Sequence, residues 1–101
     1  MKKFVVKKLD ALLTNTGDMA LKRRAKKIIQ ELDPQPNEKI LDIGCGDGYY
    51  LYLLSNLGIQ LKLTGSDYDL DGLKNARKNL SKKIPLIQAD LMKTLPFKNN
   101  T

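Results

Sequence analysis

The residues of this chain with chemistry to offer are three aspartates and a run of alternating glycines. Asp42-x-Gly44-x-Gly46-x-Gly48 sets a carboxylate two residues ahead of the first glycine, and Asp67 follows 23 residues after Gly44. Glycines in such a turn serve in two ways: one permits a positive φ, and another lets backbone approach a ligand closely because it lacks a Cβ. A carboxylate at Asp42 would repel a pyrophosphate and suits a ligand that carries positive charge. Spacing disfavours one phosphate binder, a dinucleotide site, and excludes another, the P-loop. A Gly-x-Gly-x-x-Gly count from Gly44 puts Tyr49 at the third glycine's place, and no Gly-Lys-Ser/Thr is present. Cys45 is the single cysteine and the chain has no histidine. It therefore reads as a small residue filling a tight turn, with no base to make it a nucleophile. No Cys/His cluster exists to suggest a metal site.

These residues need strands to place them. Ile40-Leu-Asp-Ile43 reads as a short buried strand, and Tyr49 to Leu57 as an apolar helix closed by Gly58. Strand, Gly-rich turn and helix in that order form the first half of a nucleotide-binding βαβ unit. The helix start beyond the turn offers free N–H groups. Leu61 to Ser66 is predicted as a second strand ending at Asp67, and Asp69 or Asp71 opens a helix to about Leu80. Ile84 to Ala89 is a third strand ending at Asp90. A carboxylate at the end of the second strand can accept hydrogen bonds from ribose hydroxyls. One at the end of the third can accept from an exocyclic adenine amine. Singly, each aspartate also reads as a helix cap; three of them at successive strand ends beside one Gly-rich turn are a stronger signal.

Ahead of the first strand stand two helical patterns. Apolar residues at 5, 6, 9, 12 and 13 form one face. Asp18 caps a second helix to about Leu32, with Leu21, Ala25, Ile28, Ile29 and Leu32 on its inward side. Asp33-Pro-Gln-Pro-Asn37 ends it. The element order α-α-β-α-β-α-β predicts a parallel sheet with right-handed crossovers. Residues 1–33 are expected to form a basic helical segment and 34–101 the cofactor-binding part.

Of 101 residues, 42% are hydrophobic and 29% charged, which suits a soluble globular domain. No apolar run approaches the roughly 18 residues of a membrane span. The start is too short in apolar residues for a signal peptide. A reducing, cytoplasmic setting is the default expectation. All of the net charge of +7 lies in residues 1–30, which hold 9 Lys/Arg against 2 Asp. That asymmetry reads either as a solvated amphipathic face or as a footprint for RNA, DNA or another anionic surface.

With these residues in view, the chain resembles class I S-adenosylmethionine-dependent methyltransferases over roughly residues 20–101. Ile40 to Gly48 is similar to the family's first signature, Gly65-Ser-Asp-Tyr-Asp69 to its second and Ala89-Asp-Leu91 to its third. Leu95-Pro-Phe97 is similar to a segment before the fourth strand. The resemblance implies a Rossmann-like α/β fold, a three-layer parallel sheet with helices on both faces, and S-adenosyl-L-methionine as cofactor. It implies Asp42 near the cofactor's ammonium, and Gly44, Cys45, Gly46 and Gly48 along its methionine and ribose. It further implies Asp67 on the ribose hydroxyls, Tyr68 over the adenine, Asp90 at the adenine amine and Leu91 beside the ring. It names no catalytic base and leaves the methyl acceptor unidentified. A small molecule is the first expectation, and nucleic acid docked on the basic helices the second. A non-catalytic accessory subunit is the third.

The family's sheet runs 3-2-1-4-5-7-6, and residue 101 precedes the fourth strand. The expectation is a domain truncated after its third strand, with the first strand left as an open edge. Either a missing C-terminal half or a second chain is expected to pair there.

Overall fold

A computed structural model describes residues 1–89. It contains α1 (Lys3–Leu13), α2 (Met19–Leu32), β1 (Lys39–Ile43), α3 (Tyr49–Ser55), β2 (Lys62–Asp67), α4 (Leu70–Asn79) and β3 (Leu86–Gln88). The element order is the one the sequence predicts. Asp90, Leu91 and Leu95-Pro-Phe97, with the roles expected of them, lie outside the described residues.

The three strands are parallel, in the order β1-β2-β3. Lys39 to Ile43 register with Lys62 to Ser66, and Gly65 to Asp67 with Leu86 to Gln88. Both crossovers travel the same way across the sheet, so right-handedness puts α3 and α4 on one face. Residues in register share a face. The face under the helices therefore carries Ile40, Asp42, Leu63, Gly65, Asp67 and Leu86.

One apolar cluster joins this face to all four helices. It takes Val5, Leu9 and Leu13 from α1, Ala25 and Ile29 from α2, Leu51, Leu53 and Leu54 from α3, and Leu73 and Ala76 from α4. Gly65 lets α3 settle directly on the sheet. A Cβ there would stand 2.7 Å from Leu51 Cδ1 and 2.8 Å from Leu86 Cδ2. Arg77 of α4 donates to the carbonyls of Ile84 and Ser81, pinning the turn that feeds β3. Asp18 caps α2 by accepting from the N–H groups of Ala20 and Leu21, as its position predicts.

No described helix covers the opposite face of the sheet, although Ser66, on the central strand between Ile43 and Ile87, is itself 2% exposed. Leu41, Ile43 and Ile87 lie on that face, 42%, 40% and 46% exposed. A groove of about 740 Å3 runs over it, lined by Leu41, Thr64, Ser66, Pro85 and Ile87 among others. The expected second layer of helices is not among residues 1–89. β1 is also an unpaired edge among the described residues, in keeping with the order 3-2-1. Ile28 and Leu32, expected to face inward, are 45% and 47% exposed. They flank the buried stripe of Ala25 and Ile29 on α2, and no described element covers that flank. α3 ends at Ser55 and β3 is confined to Leu86–Gln88, both shorter than their sequence patterns. No described helix is long and apolar enough to cross a membrane.

Candidate cofactor site

The Gly-rich turn is sewn to the end of β2 by backbone hydrogen bonds. The N–H groups of Gly44 and Cys45 both donate to the Ser66 carbonyl, at 2.6 and 2.9 Å. Gly46 N–H donates to Asp67 Oδ2 at 2.7 Å, and Asp69 N–H to Asp67 Oδ1 at 3.0 Å. Asp67 thus fastens two loops at the carboxyl edge of the sheet. Neither bond exhausts it, because an ionised carboxylate has about four acceptor positions. The two N–H bonds, that from Asp69 first, hold its carboxyl below the ordinary carboxylate range.

The glycines of the turn divide by what stands beyond them. Gly46 has a φ of +54° and nothing within 4 Å of where a Cβ would project. It presents bare backbone to open space, the geometry of a surface that a ligand can approach. Gly48 has a φ of +87°, but its missing Cβ would stand 2.8 Å from Leu80 Cδ1 and 3.3 Å from the Ala76 Cβ. It is a packing glycine that seats α3 against α4. Cys45 is buried, its sulfur 3.0 Å from where a Gly65 Cβ would be. It fills the tight turn as expected. Burial first, then the charges of Asp42 and Asp67, push its thiol up, away from nucleophilic use.

Asp42 is half-buried on the covered face, in register with Gly65 and so two strand positions short of the level of Asp67. No hydrogen bond or ion pair is made to its carboxylate by the described residues. Burial, and then the charge of Asp67, push its carboxyl up from the ordinary value. The two carboxylates have opposite surroundings. Asp67 is satisfied by backbone, and Asp42 has no protein donor among the described residues.

Around this pair, Tyr68 is 73% exposed at the head of the β2–α4 turn, its carbonyl accepting from Gln88 Nε2 at 3.1 Å. Tyr49 and Tyr50 pack edge to face, 5.6 Å between ring centres, and Tyr49 pairs with the Thr16 hydroxyl at 3.0 Å. That contact ties the α1–α2 loop to the start of α3 and borders a cavity of about 370 Å3 with Leu12, Asn15 and Asn79. Sequence reasoning missed Thr16. Only a contact across 33 residues reveals it. The structure brings together Asp42, Gly44, Cys45, Gly46 and Asp67, with Tyr68 at the rim.

The profile of the methyltransferase domain family matches residues 40–101. The chain belongs to that family. A demethylmenaquinone methyltransferase of Corynebacterium kroppenstedtii is 38% identical over 101 residues, covering 96% of this chain and 40% of that protein. Among solved structures, one from Bacillus halodurans described as that of a methyltransferase superposes with a TM-score of 0.61 at 25% identity, covering 74% of this chain and 33% of its own. The plantazolicin methyltransferase BpumL, solved with SAH, gives 0.51 at 22% identity and covers 92% of this chain and 42% of its own. The fold is therefore the α/β, Rossmann-like one of methyltransferases. The chain spans less than half the length of each of these proteins.

Proposed function

We infer that this chain is the cofactor-binding part of an S-adenosylmethionine-dependent methyltransferase. The observation that carries the reading is Asp42, a half-buried carboxylate at the foot of the Gly-rich turn to which no described residue donates. A cationic group beside it would relieve both its desolvation and its repulsion from Asp67. The fit extends along the turn. Gly44 and Gly46 leave room for a ligand against bare backbone, and Asp67 keeps acceptor positions free for ribose hydroxyls. Tyr68, exposed at the rim, would cover a base.

The bound cofactor would supply a methyl group already activated by its sulfonium. The share of the protein is to hold that carbon in line with an acceptor and to keep water out. Among residues 1–89, Asp42 would orient the cationic end and Asp67 the ribose. No residue stands out as a base. A small-molecule acceptor is the reading we favour, since the relative that aligns over nearly the whole chain, α1 and α2 included, is named for demethylmenaquinone.

The bare face and the open edge of β1 belong to the same reading. In a chain spanning 40% of such a relative, we assign the missing cover to the remainder of the domain, in the same polypeptide or a second one. A reduced Cys45 accords with a cytoplasmic setting. Isothermal titration with S-adenosylhomocysteine, with NADH as control, tests the assignment. Binding of the first alone supports it. Binding of neither, by protein whose circular dichroism is that of a folded α/β domain, contradicts it.

A further inference from the structure

The charge asymmetry of the sequence becomes a surface in three dimensions. α1 and α2 form an antiparallel hairpin. The ammonium of Met1 lies 3.4 Å from Asp33 beyond the end of α2, and Lys26 lies 2.9 Å from Asp10 midway. Val5, Leu9, Leu13, Ala25 and Ile29 turn into the core. The opposite, solvent side carries Lys3, Lys7 and Lys8 on α1 and Arg23, Arg24 and Lys27 on α2, all exposed. None of these six forms an ion pair among the described residues. Of the nearby acids, Asp10 holds Lys26 and Asp18 caps α2; Glu31, exposed one turn beyond Lys27, lies on the same face and leaves its six cations a net excess of five. Helical spacing sets Phe4 beside Lys7 and Lys8, and its ring is 53% exposed.

We propose that this outer face of the α1–α2 hairpin docks the protein on an anionic phospholipid surface. The cations meet the headgroups, and Phe4 enters the boundary between headgroup and acyl chain. A cationic helical face with an exposed aromatic is the composition that lies in a membrane interface, and each added Lys or Arg strengthens attraction to an anionic leaflet. A nucleic-acid duplex fits less well. Two helices side by side, each about 10–12 Å across, exceed a major groove roughly 12 Å wide. A single aromatic provides no row of stacking platforms for single strands. The proposal is independent of the cofactor assignment, since none of its residues touches the Gly-rich turn.

Co-sedimentation with sucrose-loaded vesicles tests it, comparing phosphatidylcholine alone with phosphatidylcholine carrying about a quarter phosphatidylglycerol. The expected result is at least roughly tenfold tighter binding to the anionic vesicles, weakening as salt is raised. The combined change Lys7→Glu, Lys8→Glu, Lys27→Glu should abolish that preference. Phe4→Ser should weaken severalfold the binding that survives high salt. All four positions are solvent-facing, and circular dichroism of each variant should match the parent. Equal binding to neutral and anionic vesicles, or binding to neither, overturns the proposal. So does tighter, salt-sensitive binding to duplex RNA measured in parallel, which would assign the face to nucleic acid instead.

Discussion

Ile40, Leu63 and Leu86 face the helices and pack into the core, whereas Leu41 and Ile43 of β1 and Ile87 of β3 point the other way and stay 40–46% exposed. The two faces are equally apolar in sequence and unequally covered in structure. Strands rich in apolar residues at consecutive positions, rather than at alternating ones, belong to sheets buried on both sides. The covered face is also the one with the chemistry. Asp42, Gly65 and Asp67 share it, and their backbone and packing contacts fix the Gly-rich turn above them. The difference separates what residues 1–89 build for themselves from what they leave for a partner segment.

Substitutions on the two faces should therefore differ in kind. The largest effect is expected from Gly65→Val, which drives a side chain into Leu51, Leu86 and Cys45. Overpacking of this sort costs up to about 3 kcal/mol, and urea unfolding followed by circular dichroism should show much of the domain's stability gone. Asp67→Ala comes next. It strips the acceptor from the Gly46 and Asp69 N–H groups, a loss on the order of 1 kcal/mol, and should weaken S-adenosylhomocysteine binding by tenfold or more in a calorimeter. Because its carboxyl is held low, the support Asp67 gives is present above the ordinary carboxylate range and is lost as pH falls through its lowered value.

Asp42→Asn should move stability the other way. A carboxyl raised in the folded state costs stability wherever it is ionised, and that cost fades as pH falls through the raised value towards the ordinary one. The asparagine variant should melt higher than the parent at pH 7, with the gain gone below about pH 4. Its affinity for S-adenosylhomocysteine should fall. A more stable variant that binds as well as the parent would show that Asp42 has no part in the site. The smallest effect belongs to the bare face. Leu41→Thr should change the stability of this chain by no more than about 0.5 kcal/mol. A large loss there would mean that this face is already covered.

Much of this arrangement was legible in the sequence because local rules decide it. The glycines at 44, 46 and 48 require a turn, Asp18 announces a cap, and the Asp33-Pro pair ends α2. The rest depends on contacts between distant residues. That Gly46 is open while Gly48 is filled from outside by Leu80 follows from how α4 crosses α3, which no spacing reports. The bond from Gly46 to Asp67 spans 21 residues. Helical periodicity placed Ile28 and Leu32 with Ala25 and Ile29, but periodicity reports which side is apolar and not whether anything lies against it. The same holds for Leu41 and Ile43.

The central claim, that the edge of the covered face holds the cofactor, is tested most directly by assigned amide spectra of the isotopically labelled protein titrated with S-adenosylhomocysteine. The account predicts the largest shifts at Asp42 to Gly48 and at Asp67 to Asp69, with Leu41 and Ile87 moving far less than Asp42. Shifts centred on the bare face or on the cavity beside Thr16, with the Gly-rich turn unmoved, would contradict it.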